Sequence, residues 1–443
     1  MVKICFLGAG SGFVGPLSTD VMRAPGIGGG EFRLVDVDTQ RLELSLGLVK
    51  AIAGICGSGW AVTAGTDRRE ALRGADYVIN CIEVSGLATV RHDNDIPLKY
   101  GVSQCIGDTI GPGGLFKALR TVPVWLEVLR DCERLCPDAW VLNYTNPMSM
   151  MCLAAQRASS MKVVGLCHSV QGTSGQLADY AGIPYNELEW TCGGINHMSW
   201  FTKLAHRGED LYPVLRRRVE ESKDLWEKDP VRFDMMRHFG AFVTESSGHF
   251  SEYVPYYRKR RDLMERYCRP GYLGQESFYA GNWPKWRADS DDWRRRALAG
   301  QQEIPTQRGH EYASYIIEAI ETGGPYVFHG NVANAGLIEN LPADGCVEVA
   351  CVADRNGVRP TRFGPLPPPL AALCRANMAM FDLAVRAVLE RSREAAIHAL
   401  MVDPLTAAVC CPADIRRMAE EMFEAEREYM PDGIRACVNA AGA

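Results

Sequence analysis

Apolar and polar positions fall into two regimes along the chain. Over the first 200 residues, short runs that are apolar at nearly every position alternate with segments of helical character. Residues 2–7 (VKICFL), 31–37 (EFRLVDV), 75–84 (ADYVINCIEV), the run AWVLN that ends at NYTNP, and MKVVGLC at 161–167 read as strands. Segments 41–55 and 115–135 read as helices between them. Strands apolar on both faces need helices on both sides, which is the pattern of a parallel α/β sheet.

The pattern changes beyond about residue 200. Residues 213–300 are rich in Arg, Glu and Trp and read as helices joined by long loops, with NWPKWRADSDDWRRR (282–296) a solvated loop or helix end. Residues 325–352 read as strands, LPPP at 366–369 as a break, and 370–430 as helix. A chain of 443 residues is long enough for two domains. The expected division is a dinucleotide-binding domain over 1–195 and a mixed α/β domain over 196–443. The second would carry the substrate, metal and oligomer contacts and end in helices.

Composition narrows the function. A net charge of -6 is not that of a nucleic-acid binder. Sixteen scattered cysteines with no CxxC pair suit a reducing compartment. Adjacent Cys410 and Cys411 read as packing residues of a helix. Met1 leads directly into a strand with no charged-then-apolar leader, and no apolar run is long enough to span a membrane. The expected location is the cytoplasm, with no membrane or nucleic-acid partner.

Candidate chemistry gathers at strand ends, where open parallel sheets bind ligands. Gly8, Gly10, Ser11 and Gly12 link the first strand to a helix, and Asp36 closes the second strand. Glycines there let backbone N–H groups approach a pyrophosphate, and the acid suits ribose hydroxyls, hence NAD rather than NADP. Phe13 stands where a strict GxGxxG has its third glycine. The alternative is a turn that binds nothing.

Cys167-His168 ends one strand and Asn196-His197 follows about 30 residues later. Cys167 and His197 suit an open site for one divalent metal completed by substrate oxygens. The alternative is a buried thiol and a core histidine. Asn143 and Asn146 can bind sugar hydroxyls or cap the turn they flank. Asp108 sits in the glycine-rich loop 107–114, and Arg91 precedes a Pro-containing segment from which it can reach a substrate. His249, with Glu252, Tyr253, Tyr256 and Tyr257, reads as an amphipathic helix that serves either a sugar site or packing.

Ordered motifs extend over nearly the whole chain: GAGS (8–11), DVDxxRL (36–42), IGDTIGPGG (106–114), NYTNP (143–147), GLCHSVQGT (165–173), GINHMSWF (194–201), ESSGHFSEY (245–253) and NxxxIxNLPxDxxVEV (334–349). Together they resemble glycoside hydrolase family 4, the NAD- and manganese-dependent glycosidases. The resemblance implies a Rossmann-like, doubly wound sheet of the lactate/malate dehydrogenase kind with the family's own C-terminal domain, assembled as a homodimer or homotetramer. It implies NAD at Gly8, Gly10, Ser11, Gly12 and Asp36, Mn²⁺ or another divalent metal at Cys167 and His197, and Asn146 near both. By the same resemblance His249 is the base, with Tyr253 its alternative, and His168 assists the leaving group, with Asp108 its rival. Most glycosidases use two carboxylates; this family is implied instead to oxidise the sugar at C3, deprotonate C2, eliminate, add water and re-reduce. The CHSV form points to sugars without phosphate: α-galactosides first, α-glucosides or α-galacturonides next. Two other readings remain open at this point, a dehydrogenase with net redox turnover and a non-catalytic NAD-binding regulator.

Overall fold

The computed structural model describes residues 1–57 and 59–435. Its strands are β1 (Val2–Leu7), β2 (Gly29–Val35), β3 (Gly59–Gly65), β4 (Tyr77–Asn80), β5 (Trp140–Asn143), β6 (Lys162–Gly165), β7 (Leu188–Ile195), β8 (Met198–His206), β9 (Glu209–Asp210), β10 (Phe242–Val243), β11 (Tyr326–Ala333), β12 (Cys346–Asp354) and β13 (Gly357–Pro360). They form one sheet in the order β10-β8-β7-β12-β11-β6-β5-β4-β1-β2-β3, with β13 on β12 and β9 on β8. The six strands β3-β2-β1-β4-β5-β6 are parallel, and the rest are antiparallel. From β1 the chain runs outward to β2 and β3, then crosses back to β4. That reversal opens a crevice beyond the carboxyl ends of β1 and β4.

Burial explains the parallel half. Ile4, Cys5, Phe6, Val78, Ile79, Val141 and Leu142 are all inaccessible to solvent. They come from both faces of their strands, as a sheet sandwiched by helices requires. The helix Thr39–Cys56 starts where the Asp38 carboxylate accepts from the Arg41 N–H, and stops at Gly57, whose φ of 64° lies in the left-handed region. At the far end, the prolines of 366–369 do more than break the chain. Pro368 opens the helix Pro368–Leu389, a position where a missing N–H costs nothing.

The α/β architecture is the expected one, with local corrections. The 75–84 strand is only β4, Tyr77–Asn80. The edge strand β3 has almost no apolar signature, since only Trp60 is buried in it. Residues 282–296 are not a solvated loop: they lie within the helix Phe278–Leu298. The segment around His249 is not an amphipathic helix but one turn, Ser247–Phe250, followed by buried chain through Val254. Cys410 and Cys411 fall in the connector between the helices Pro404–Val409 and Pro412–Ala425, and Cys411 is exposed. Residue 195 is at the tip of the β7–β8 hairpin, and the sheet passes through it unbroken. Among the described residues no helix is long and apolar enough to cross a membrane.

Candidate active site

The first end of the crevice is built from main chain. Gly8 has φ 74°, and a Cβ there would collide with the carbonyl of Cys81 after β4. The N–H groups of Gly8 and Ala9 both donate to the Val35 carbonyl at 2.9 Å, which folds the loop back over β2. Asp36 then fastens it: Oδ2 accepts from the Gly10 N–H at 2.7 Å and Oδ1 from the Asp38 N–H at 2.9 Å. Ser11 Oγ accepts from the Phe13 N–H at 3.2 Å, and the space beside Gly12 is open. The helix Val14–Met22 follows, its first turn uncapped by any side chain. A glycine cradle, an open helix N-terminus and a strand-end acid together fit a dinucleotide.

The helix Phe278–Leu298 closes over this loop. Buried Arg294 donates Nη1 to the Gly10 carbonyl at 3.0 Å and Nη2 to the Ser11 carbonyl. Beside it, Arg41 Nε donates to Asp291 at 3.0 Å. Burial lowers the Arg294 guanidinium to about 10, and Arg41 adds to this while Asp291 opposes it. Nothing in the Arg-rich stretch 294–296 distinguished Arg294 from its exposed neighbours, so sequence reasoning missed it.

The second end is built from side chains. In the β7–β8 hairpin Ile195 pairs with Met198, leaving Asn196-His197 as a two-residue turn with His197 at φ 62°. Hairpins of this length need positive φ, and a non-glycine residue held there marks a site the surroundings enforce. Glu245, at φ 75°, faces it. Glu245 Oε2 lies 3.6 Å from His197 Nε2, and Oε1 lies 3.6 Å from His249 Nδ1. The two imidazoles meet edge to face at 4.7 Å. One ligand atom from each of His197, Glu245 and His249 fits within 4.8 Å of the others. His249 Nε2 is buried and has no protein partner.

Cys167, just past β6, holds its Sγ 2.8 Å from Ser169 Oγ and its sulfur acts on His197. Burial would depress the His197 imidazole, but Cys167, Glu245 and Asp108 reverse that and push it up to about 10. Burial would likewise raise Glu245, yet the two histidines pull its carboxyl far below the usual range. This N, O and S donor set from His197, Glu245 and Cys167 fits a borderline divalent cation, and it leaves His249 Nε2 uncommitted. Glu245 was not singled out in the sequence; its spacing of four from His249 was the available signal.

The remaining residues sort by contact. Asp108 accepts from Thr109 Oγ1 at 2.6 Å, from Asn146 Nδ2 at 3.4 Å and from Lys117 Nζ at 3.5 Å. Burial opposes its ionisation, but Lys117 and His249 hold the carboxyl below its ordinary value. Its loop is hung on Glu252, a buried carboxylate that accepts from the N–H groups of Cys105 and Ile106 at 2.6 Å and Gly107 at 3.1 Å. Tyr253 is buried with its hydroxyl 3.4 Å from His197 Nδ1, and burial, then Asp108 and Glu245, keep it a phenol. Behind β7, Glu348 accepts from Ser199 Oγ and Asn331 Nδ2, and burial pushes it up to about 7.

Three expected residues lie elsewhere or are occupied. Asn143 is buried and spent on the turn, its amide donating to the Thr145 carbonyl and its oxygen accepting from Asn80, so it has no free group for a sugar. Arg91 is exposed and faces Asp95 at 3.7 Å, one turn along its helix. The contacts of His168 are with Glu311 at 2.9 Å and the stacked ring of Phe13 at 5.9 Å, on the glycine-loop side.

Known proteins resemble the chain over nearly its whole length. Residues 3–183 match the model of "Family 4 glycosyl hydrolase" and residues 192–406 that of its C-terminal domain. An α-galactosidase of Bacillus subtilis is 40% identical, covering 98% of this chain and 100% of its own. An α-galacturonidase of Lachnoclostridium phytofermentans is 27% identical over 97% of each. The fold superposes on a 6-phospho-β-glucosidase of Thermotoga maritima, solved with manganese, NAD⁺ and glucose-6-phosphate, at a TM-score of 0.80, 23% identity and coverage of 97% and 99%. A malate dehydrogenase of Plasmodium falciparum matches more distantly, at a TM-score of 0.51 and 13% identity over 88% of this chain and 99% of its own. The chain belongs to family 4 of the glycosyl hydrolases.

Proposed function

We propose that this enzyme hydrolyses an unphosphorylated α-galactoside, using NAD and Mn²⁺ in an oxidation, elimination, addition and re-reduction at the sugar ring. The observation that carries the reading is the cluster of buried His197 and His249 with half-buried Glu245, next to which Cys167 acts on His197. NAD⁺ bound on that loop supplies a reversible hydride acceptor, and the divalent cation supplies Lewis acidity. Gly8, Gly10, Ser11, Gly12 and Asp36 would hold the nucleotide, with Arg294 fixing the loop from behind. Cys167 and His197 would hold the metal, with Glu245 and the substrate's own hydroxyls completing it.

Within this reading His249 is the base that takes the C2 proton. Its Nε2 is the free nitrogen, and Glu245 faces Nδ1, the arrangement that orients an imidazole for proton transfer. Tyr253 is the weaker choice, because its phenol is held protonated. Asp108 and Asn146 share a hydrogen bond at the edge of the cluster and would position the sugar hydroxyls. His168 pairs with Glu311 and stacks on Phe13 on the glycine-loop side, so it does not serve the leaving group in this reading.

Galactose is preferred to galacturonate on two grounds. Identity to the α-galactosidase relative exceeds that to the α-galacturonidase. Among the described residues the one buried lysine is Lys117, beside the site, and it is already committed to Glu83 at 2.9 Å and to Asp108. The test is hydrolysis of p-nitrophenyl α-galactoside, α-glucoside and α-galacturonide, with and without NAD⁺ and Mn²⁺, under thiol reductant. Nitrophenol release from the galactoside that needs both additives, without NADH accumulating, is the expected result. Stoichiometric NADH formation would make the protein a dehydrogenase, and faster uronide cleavage would change the sugar.

A further inference from the structure

Where the helix Phe278–Leu298 begins, it carries aromatic side chains that nothing above uses. Tyr272 stacks on Trp286 with ring centres 5.9 Å apart and planes 13° from parallel. Tyr279 packs against Trp286 edge to face at 6.0 Å, and Phe278 closes the group at 5.5 Å from Trp286. This is not a core cluster. Tyr272 is 50% exposed, and Phe278, Tyr279 and Trp286 are all partly open to solvent.

The cluster is anchored to the site. The Tyr279 N–H donates to the Cys105 carbonyl at 3.0 Å and the Ser277 N–H to the Gln104 carbonyl at 2.7 Å, so the aromatic segment hangs on the loop that presents Asp108. Main chain of Tyr272 and Gly274 presses on Gly248, next to His249, so closely that no Cβ would fit there. Tyr272 feels the charges of Glu245 and Asp108, and Tyr279 those of Lys117 and Asp108. One border of the charged cluster is thus an open aromatic ledge, and its rings are held by one another rather than by a core.

We propose that Tyr272, Tyr279 and Trp286 form the subsite for the leaving group of the glycoside, taking the apolar face of a second sugar ring. The inference rests on the proposed function, which places the reacting ring at the metal cluster. The group beyond C1 must then lie where the cluster opens to solvent. Aromatic faces carry partial negative charge and attract the weakly positive C–H face of a sugar, whereas the charged residues deeper in suit hydroxyls. The ledge selects oligosaccharide over simple glycosides without touching the bond that breaks.

The experiment compares methyl α-galactoside, whose aglycone is too small to reach the ledge, with an α-galactosyl disaccharide, in the full-length protein and in Trp286→Ala and Tyr272→Ala. For the disaccharide KM should rise roughly tenfold, the equivalent of one lost aromatic contact, while methyl α-galactoside kinetics and the NAD Kd by fluorescence titration stay within about twofold. Equal loss on both substrates, no change on either, a weakened NAD Kd, or a shift in oligomer size on gel filtration would each overturn the subsite. A wild-type protein that cleaves neither substrate would overturn the α-galactoside reading, and the ledge as its aglycone site with it.

Discussion

The two ends of the crevice solve the same problem with different materials. At the glycine loop almost every contact is made by main chain, and charge enters only to pin it: Asp36 from one side and Arg294 from the other. At the His197 end the backbone is bent to serve side chains, with His197 and Glu245 both held at positive φ so that their charges meet in a buried space. A main-chain site tolerates any residue that leaves the backbone alone. A side-chain site depends on each of its charges, because a buried charge left without its partner is costly.

That contrast predicts the largest effect at the charged end. Glu245→Gln removes the anion between His197 and His249. Mn²⁺ affinity should fall by about 10–100-fold, the usual consequence of losing a group that orients metal ligands, with NAD affinity unchanged. Calorimetric titration of Mn²⁺ decides it; unaltered affinity would remove Glu245 from the metal site. A smaller effect is expected at the loop. Arg294→Met leaves one buried and one half-buried carbonyl unpaired, at a cost of about 1–3 kcal/mol, and NAD affinity should drop roughly tenfold. Arg294→Lys should recover part of it, since an ammonium can still reach one carbonyl; equal loss in both variants would mean that the planar guanidinium is what the loop needs. Between the ends, Glu252→Gln should lower kcat several-fold with KM nearly constant, because three N–H donors then share a weaker acceptor and Asp108 drifts. A rise in KM alone would place Glu252 in substrate binding instead.

The same contrast accounts for what could be read beforehand. The β1 glycine loop and Asp36 are local: strand, turn and helix are contiguous, and period and turn chemistry show them without tertiary information. Cys167 and His197 were visible only as residues near strand ends, and it was the ordered motifs, not spacing, that joined them. Arg294 was not legible at all, and Glu245 only as a residue four before His249. Glu245 acts because the hairpin turn of β7–β8, about 50 residues earlier in the chain, bends His197 towards it. Arg294 acts because a helix from the second half of the chain lies across a loop from the first. Asn143 shows the reverse case: its motif was conspicuous, but the turn itself consumes both ends of its amide.

The last effect falls on stability rather than on affinity or turnover, and concerns support for the charged end rather than the cluster itself. Asp403 caps the helix Pro404–Val409 and lies against Gly111, at the start of the helix Gly111–Leu135 behind the Asp108 loop. It accepts from the Thr406 N–H at 2.8 Å and Oγ1 at 2.7 Å, yet burial outweighs these bonds and pushes its carboxyl from 3.8 up to about 6. The folded state therefore binds the proton more tightly than the unfolded state. Its contribution to stability is complete below pH 3.8 and is lost as pH rises through about 6. Asp403→Asn keeps a capping oxygen without the charge. Relative to wild type, the variant should gain up to about 2–3 kcal/mol between pH 4 and pH 7 in urea unfolding. A difference that stays flat across that range would mean that Asp403 is ionised in the folded protein at both pH values, and that even a deeply buried carboxylate near this loop is stabilised by its neighbours as fully as Glu245 is.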